Sequence, residues 1–170
     1  MPEKRHQSDS GAISAAGGHA AALLEEVARG ARACGAFASV EARPGLVVCA
    51  STQRDDAEYR VIVEGESVYV GWVTPDRYLS QSIEAELMWT GDDLEELIGE
   101  ELGATDYDGP ALGAVEHFRD PDKLFTFRSR LPLDAGRVSA SAVVACLRAY
   151  EAVMRELGDM RRGPGVGGPA

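Results

Sequence analysis

An α+β fold, with an antiparallel sheet of five to six strands flanked by three helices, is what this chain predicts. Three observations carry that expectation. Residues 59–64 and 67–73 are rich in Val, Ile, Tyr and Trp, and Gly65-Glu66 between them marks a tight hairpin, hence antiparallel pairing. In 123–133, Phe125, Phe127, Ser129 and Leu131 share one face of a strand, because strand side chains alternate. In 139–157, Val143, Leu147, Tyr150, Met154 and Leu157 recur at steps of four, three, four and three, the stripe of an amphipathic helix. A strand and a helix that each have one apolar face bury those faces against one another.

The elements follow in order. Residues 14–34 form a first helix on the stripe Leu23, Leu24, Val27, Ala31 and Cys34, and Gly35 stops it. Gly17 and Gly18 weaken its first turn, so the start shifts towards His19. Strands at 37–42 and 46–51 flank the turn Arg43-Pro44-Gly45, and the second is the clearer. The hairpin 59–64 and 67–73 comes next, and Thr74-Pro75-Asp76 breaks it. Ile83, Ala85, Leu87 and Trp89 alternate against Glu84, Glu86 and Thr90, which reads as a half-buried strand. Asp92 and Asp93 open a helix whose positive end they suit, with Leu94, Leu97, Ile98 and Leu102 buried and Gly103 closing it. A strand at 114–118, a turn at Asp120-Pro121-Asp122, the last strand and the last helix complete the chain, with Ser139 or Ser141 as N-cap. The expected order is α, three to four β, α, β, β, α.

At 170 residues the chain has the size of one domain with a proper core. That domain is expected over 15–158, between unpatterned tails at 1–14 and 159–170 that bury too little to offset chain entropy. The net charge is −11, from 28 acidic and 17 basic residues. An acidic surface repels phosphate backbones, so nucleic acid is not an expected partner. No run approaches the ~20 apolar residues of a membrane helix, and the first residues lack the apolar core of a signal peptide. Cys34, Cys49 and Cys146 are odd in number and sit in apolar contexts, which fits reduced, buried thiols in the cytoplasm.

The chemistry-bearing residues form no catalytic, metal or cofactor motif. His6, His19 and His117 show no ligand spacing with one another or with a cysteine. Asp106, Asp108 and Glu116 lack the alternating run of a calcium loop. The glycines of 163–168 follow no strand and open no helix, so they are not a phosphate loop. The candidates are for partner binding: Arg77, Arg128, Arg130 and Trp89. Arg128 and Arg130 project from one face of the last strand, opposite Phe125 and Phe127. They can grip a carboxylate or a peptide's acidic groups, or pair with Glu84 and Glu86 on a neighbouring strand. Trp72 and Trp89 are core residues or a binding platform.

Residues 74–83 (Thr-Pro-Asp-Arg-Tyr-Leu-Ser-Gln-Ser-Ile), followed by Asp93-Leu-Glu-Glu-Leu97 and by 125–133 with the terminal helix, resemble the YbjN-like family, which is grouped by fold with the type III secretion chaperones. The likeness covers about 15–158 and rests on element order and apolar patterning; the strand at 37–42 departs from it. The resemblance implies a sheet flanked by helices, frequent dimers, and binding of protein or peptide instead of catalysis, and it transfers no site residue. The expected function is a non-catalytic, chaperone-like or regulatory adaptor that binds a protein segment, and is itself a homodimer. The rivals are a homo-oligomeric structural protein and an enzyme or small-molecule binder.

Overall fold

The computed structural model describes residues 10–132 and 138–158. They form helix α1 (Ser10–Cys34), strands β1 (Ser39–Arg43), β2 (Leu46–Ala50), β3 (Glu58–Glu64) and β4 (Ser67–Thr74), helices α2 (Arg77–Thr90) and α3 (Leu94–Gly103), strands β5 (Glu116–Arg119) and β6 (Phe125–Pro132), and helix α4 (Ala140–Gly158). The strands make one six-stranded sheet in the order β1-β2-β3-β4-β6-β5, antiparallel throughout. The α+β class and the hairpin at Gly65 are as expected; Gly65 takes φ +58°, a left-handed conformation that glycine adopts without a Cβ penalty. The strand expected at 37–42 is present as β1.

The helices cover one face of the sheet. α4 lies at the centre, against β3 and β4, with α1 on one side and α3 on the other. Its predicted stripe is buried throughout, from Val143 to Leu157. Beneath it, Val61, Val70, Trp72, Phe127 and Leu131 fill the inner sheet face. A polar pair is sealed inside: the Tyr150 hydroxyl and Ser129 Oγ lie 2.6 Å apart and satisfy each other. Ser139 caps α4, its Oγ accepting from the Ala142 amide at 3.1 Å.

Two expectations are corrected. The alternation of Ile83, Ala85, Leu87 and Trp89 predicts a strand, but the segment is the second half of α2, which raises the helices described from three to four. The order is therefore α, four β, α, α, β, β, α. The reason is local. Asp76 caps the helix, and Leu79 and Ile83 are buried four residues apart, the period of a helix face. The first helix starts at Ser10, not at 14. Residues 10–14 of the expected N-terminal tail thus belong to α1; the remainder of that tail, the whole of 159–170 and the expected strand end at Leu133 lie outside the described residues.

None of the described helices lies on the other sheet face, which is closed by its own side chains. One row across it runs Glu41, Val48, Arg60, Gly71, Arg128 and Glu116. Arg60 pairs with Glu58 at 2.8 Å and Arg43 with Glu41 at 2.8 Å. Gly71 is the pinch point of this row: a Cβ there would stand 2.3 Å from the Phe127 carbonyl oxygen and 2.7 Å from Arg128 Cβ. Backbone atoms cannot swing aside, so β4 and β6 approach this closely only across a glycine.

Gly71→Ala should therefore lower the unfolding free energy by at least about 1–3 kcal/mol, the cost of overpacking a filled site. An unchanged denaturant midpoint would contradict the close approach of β4 to β6.

A second prediction concerns Glu151 on α4, only 7% exposed, whose Oε1 accepts from Arg155 Nη1 at 3.3 Å. Burial pushes its carboxyl above the ordinary value of 4.5, more than Arg155 and Arg148 pull it down. The folded chain holds that proton more tightly than the unfolded chain. The contribution to stability is full below 4.5 and is lost as pH rises through the folded-state value. Glu151→Gln should therefore be more stable than the parent at neutral pH, with the gain shrinking to nothing in acid. Thermal unfolding across pH measures this, and a gain that grows in acid would refute it.

Candidate functional site

α2 is bounded by its own sequence. Thr74 Oγ1 donates to the Asp56 carbonyl at 2.9 Å and accepts from the Asp76 amide at 3.1 Å, which fixes the end of β4 to the start of the helix. The Asp76 carboxylate then accepts from the amides of Tyr78 at 2.9 Å and Leu79 at 3.3 Å. Arg54 holds Asp76 from the side at 3.5 Å. At the other end Gly91 takes a left-handed conformation and donates to the Leu87 carbonyl.

The first half of α2 is the better anchored. Leu79, Ser80 and Ile83 are its buried residues. Beyond them half-buried Leu87 packs against the core, and Glu84 Oε1 lies 2.6 Å from His117 Nε2. The His117 ring stacks on Phe127 at 3.8 Å and 20°, and its Nδ1 lies 3.1 Å from the Thr126 carbonyl.

The outer face is apolar and wet. Trp89 is 89% exposed, Met88 85% and Tyr78 77%. At 3.6 residues per turn, Tyr78, Ser82, Ala85 and Trp89 fall within an arc of about 60°, along about 16 Å of helix. Within this stripe the Ser82 hydroxyl is turned onto the helix backbone, donating to the Tyr78 carbonyl at 2.8 Å. Large apolar Tyr78 and Trp89 thus bracket small Ser82 and Ala85.

Carboxylates border this stripe. Glu84, Asp92, Asp93, Glu95 and Glu96 are exposed around the α2–α3 junction. Asp93 caps α3, accepting from the Glu95 amide at 2.8 Å, and Glu95 and Glu96 suit the positive end of that helix. Glu86 has no such compensation: burial first, and then Asp92, push its carboxyl above the ordinary range.

The sequence candidates separate into two groups on opposite sides of the sheet. Arg77 and Trp89 both lie on α2, at its two ends. Arg128 and Arg130 share the open face of β6, as the alternation predicts. Arg128 Nε donates to Glu116 at 2.9 Å and Nη1 to Glu64 at 3.1 Å, and the guanidinium lies 3.8 Å from the centre of the Tyr69 ring. Its partners are thus not Glu84 and Glu86, which belong to α2 on the helix side. Arg130 Nε donates to Ser67 Oγ at 2.6 Å. Of the two tryptophans, Trp72 is core at 2% exposed and Trp89 is surface. The link between Glu84 and His117 escapes sequence reasoning, because 33 residues separate them and no local pattern joins them.

Cys49 and Cys146 are not poised as nucleophiles. Burial pushes the Cys49 thiol up to about 12 and the Cys146 thiol up to about 11, so both stay protonated at neutral pH. No group of His, Cys, Asp and Glu among the described residues is placed to hold a metal ion. No described helix is long and apolar enough to cross a membrane. No protein-family model, curated protein or solved structure matches this chain.

The contact between Glu84 and His117 is measurable. A double-mutant cycle with Glu84→Ala and His117→Ala should return a coupling of about 0.2–1 kcal/mol, the range for a half-exposed ion pair, reduced by salt. A coupling of zero at low salt would show that α2 is held by its buried residues alone.

Proposed function

We propose that this chain is a non-catalytic protein-binding module whose docking surface is the outer face of α2. One observation carries the reading: Trp89, Met88 and Tyr78 are all at least 77% exposed on one short helix, in a fold that buries Trp72 almost completely. Large apolar side chains gathered on one exposed face mark an interaction site. The capped ends hold the helix in shape, and the Ser82 hydroxyl is already bonded to the helix backbone. The open sheet face is a weaker candidate, because Arg128 and Arg60 are already paired with carboxylates there. The resemblance to the YbjN-like family supports the same class, a chaperone-like or regulatory adaptor in the cytoplasm. The expected homodimer would form through the sheet or through α3, the helix that follows Trp89, and leave this face free.

Trp89→Ser should leave stability within about 0.5 kcal/mol, because the side chain touches little of the fold. Affinity capture from the native host should recover a partner on the parent protein and lose it on the Trp89→Ser variant, with unchanged circular dichroism. Equal recovery on both would remove α2 as the docking surface. Sedimentation of the parent at micromolar concentration tests the homodimer.

A further inference from the structure

We infer that the outer face of α2 receives a cationic amphipathic helix of another protein. The partner's apolar ridge lies between Tyr78 and Trp89, and its Lys or Arg side chains lie against Glu86 and Asp92. This rests on the docking surface proposed above and adds the form and charge of what docks there.

The charge follows from where the acids fall. Between 77 and 103 there are eight carboxylates and one cation, a net −7 within a chain of net −11. The one cation, Arg77, stands at the far end of α2 from Trp89, about 18 Å along the axis. The last turn of α2 has no basic residue to meet the negative end of its dipole, and Asp92 and Asp93 follow directly. Carboxylates and the helix end thus add their fields beside the exposed indole. After burial, Asp92 is the second cause that pushes the Glu86 carboxyl up, as expected of two carboxylates this near each other. A guanidinium or ammonium placed there neutralises the repulsion and lies within reach of the Trp89 ring.

The form follows from shape. Large Tyr78 and Trp89 enclose small Ser82 and Ala85, so the stripe is a shallow saddle about three turns long. A helix laid along it presents side chains at i, i+4 and i+7 to that saddle. Other occupants fit the charge badly. A second copy would bring its own −7 stretch against the first, and anionic lipid or nucleic acid would be repelled by the same carboxylates.

The test uses the full chain and a set of synthetic helical peptides of about 15 residues, four turns. All share one leucine face and differ only in the flanking residues, which are Lys, Gln or Glu. Trp89 emission and peptide anisotropy report binding, and a Trp89→Phe variant isolates the signal of buried Trp72. The expected result is that the Lys peptide shifts Trp89 emission to the blue and binds at least about tenfold more tightly than the Gln peptide, with the Glu peptide weaker still. Raising salt from about 50 to 500 mM should remove most of that preference. Glu86→Gln with Asp92→Asn should bring the Lys and Gln peptides together, and Trp89→Ser should weaken all three. Equal binding of Lys, Gln and Glu peptides would overturn the cationic partner and leave the docking surface standing. No binding by any peptide, with Trp89 emission unmoved, would overturn both. Self-association that Trp89→Ser abolishes and the Lys peptide cannot displace would assign the face to a second copy and overturn the inference.

Discussion

Everything in this fold depends on one helix covering the middle of one sheet. α4 rests on β3 and β4, and α1 and α3 take their places against its sides. Its residues Val143, Leu147 and Tyr150 are completely buried, and Tyr150 also ties the helix to β6 through Ser129. Burial of that stripe supplies the driving force that a long helix lacks on its own. Once α4 is seated, α2 has nowhere to lie but the end of this layer. There its first turns are buried in the core, half-buried Leu87 reaches it further along, and Met88 and Trp89 face water.

Much of this was legible in the sequence, and what was not has a physical cause. The hairpin at Gly65, the strand face of Phe127, Ser129 and Leu131, and the stripe of α4 were readable because each pattern is long and faces one buried surface. α2 was misread because its second half has almost no buried residues to impose a helical period. Exposed Ala85 and Trp89 and half-buried Leu87 happen to alternate with acids and imitate a strand. The signals that favour a helix flank the segment: Asp76 after Pro75, then Leu79 and Ile83 four apart before it, and Gly91 after it. Trp89 was identifiable as a candidate, but not its exposure, since an apolar side chain in an apparent strand reads equally as core. The partners of Arg128 were unreadable for a different reason. Strand alternation fixes the face of a side chain but not which strand lies next to it, and Glu64 on β3 and Glu116 on β5 reach Arg128 only through the order β3-β4-β6-β5.

The surfaces left by this architecture are not equivalent. Both outer strands of the sheet are short, β1 at five residues and β5 at four, and β1 carries Glu41 and Arg43 on its exposed side. Short, charged edges discourage pairing with another chain. The open sheet face is laced by ion pairs between its own strands. These features leave α2 as the part of the molecule where apolar area and uncompensated charge coincide, which is why both functional arguments converge on it.

The order of the strands also bears on how the protein emerges from the ribosome. β1 to β4 are a simple meander whose neighbours in sequence are neighbours in space, so they can pair as soon as they are made. Their inner face, however, is roofed by α4, the last element, and β6 returns to β4 only after two helices and β5 have been synthesised. At about 5–20 residues per second, the interval from Thr74 to Leu157 lasts on the order of 4–17 s. For that time Val61, Val70 and Trp72 have no cover of their own, and the nascent meander is the stage at which this chain is most open to aggregation or to capture by a chaperone.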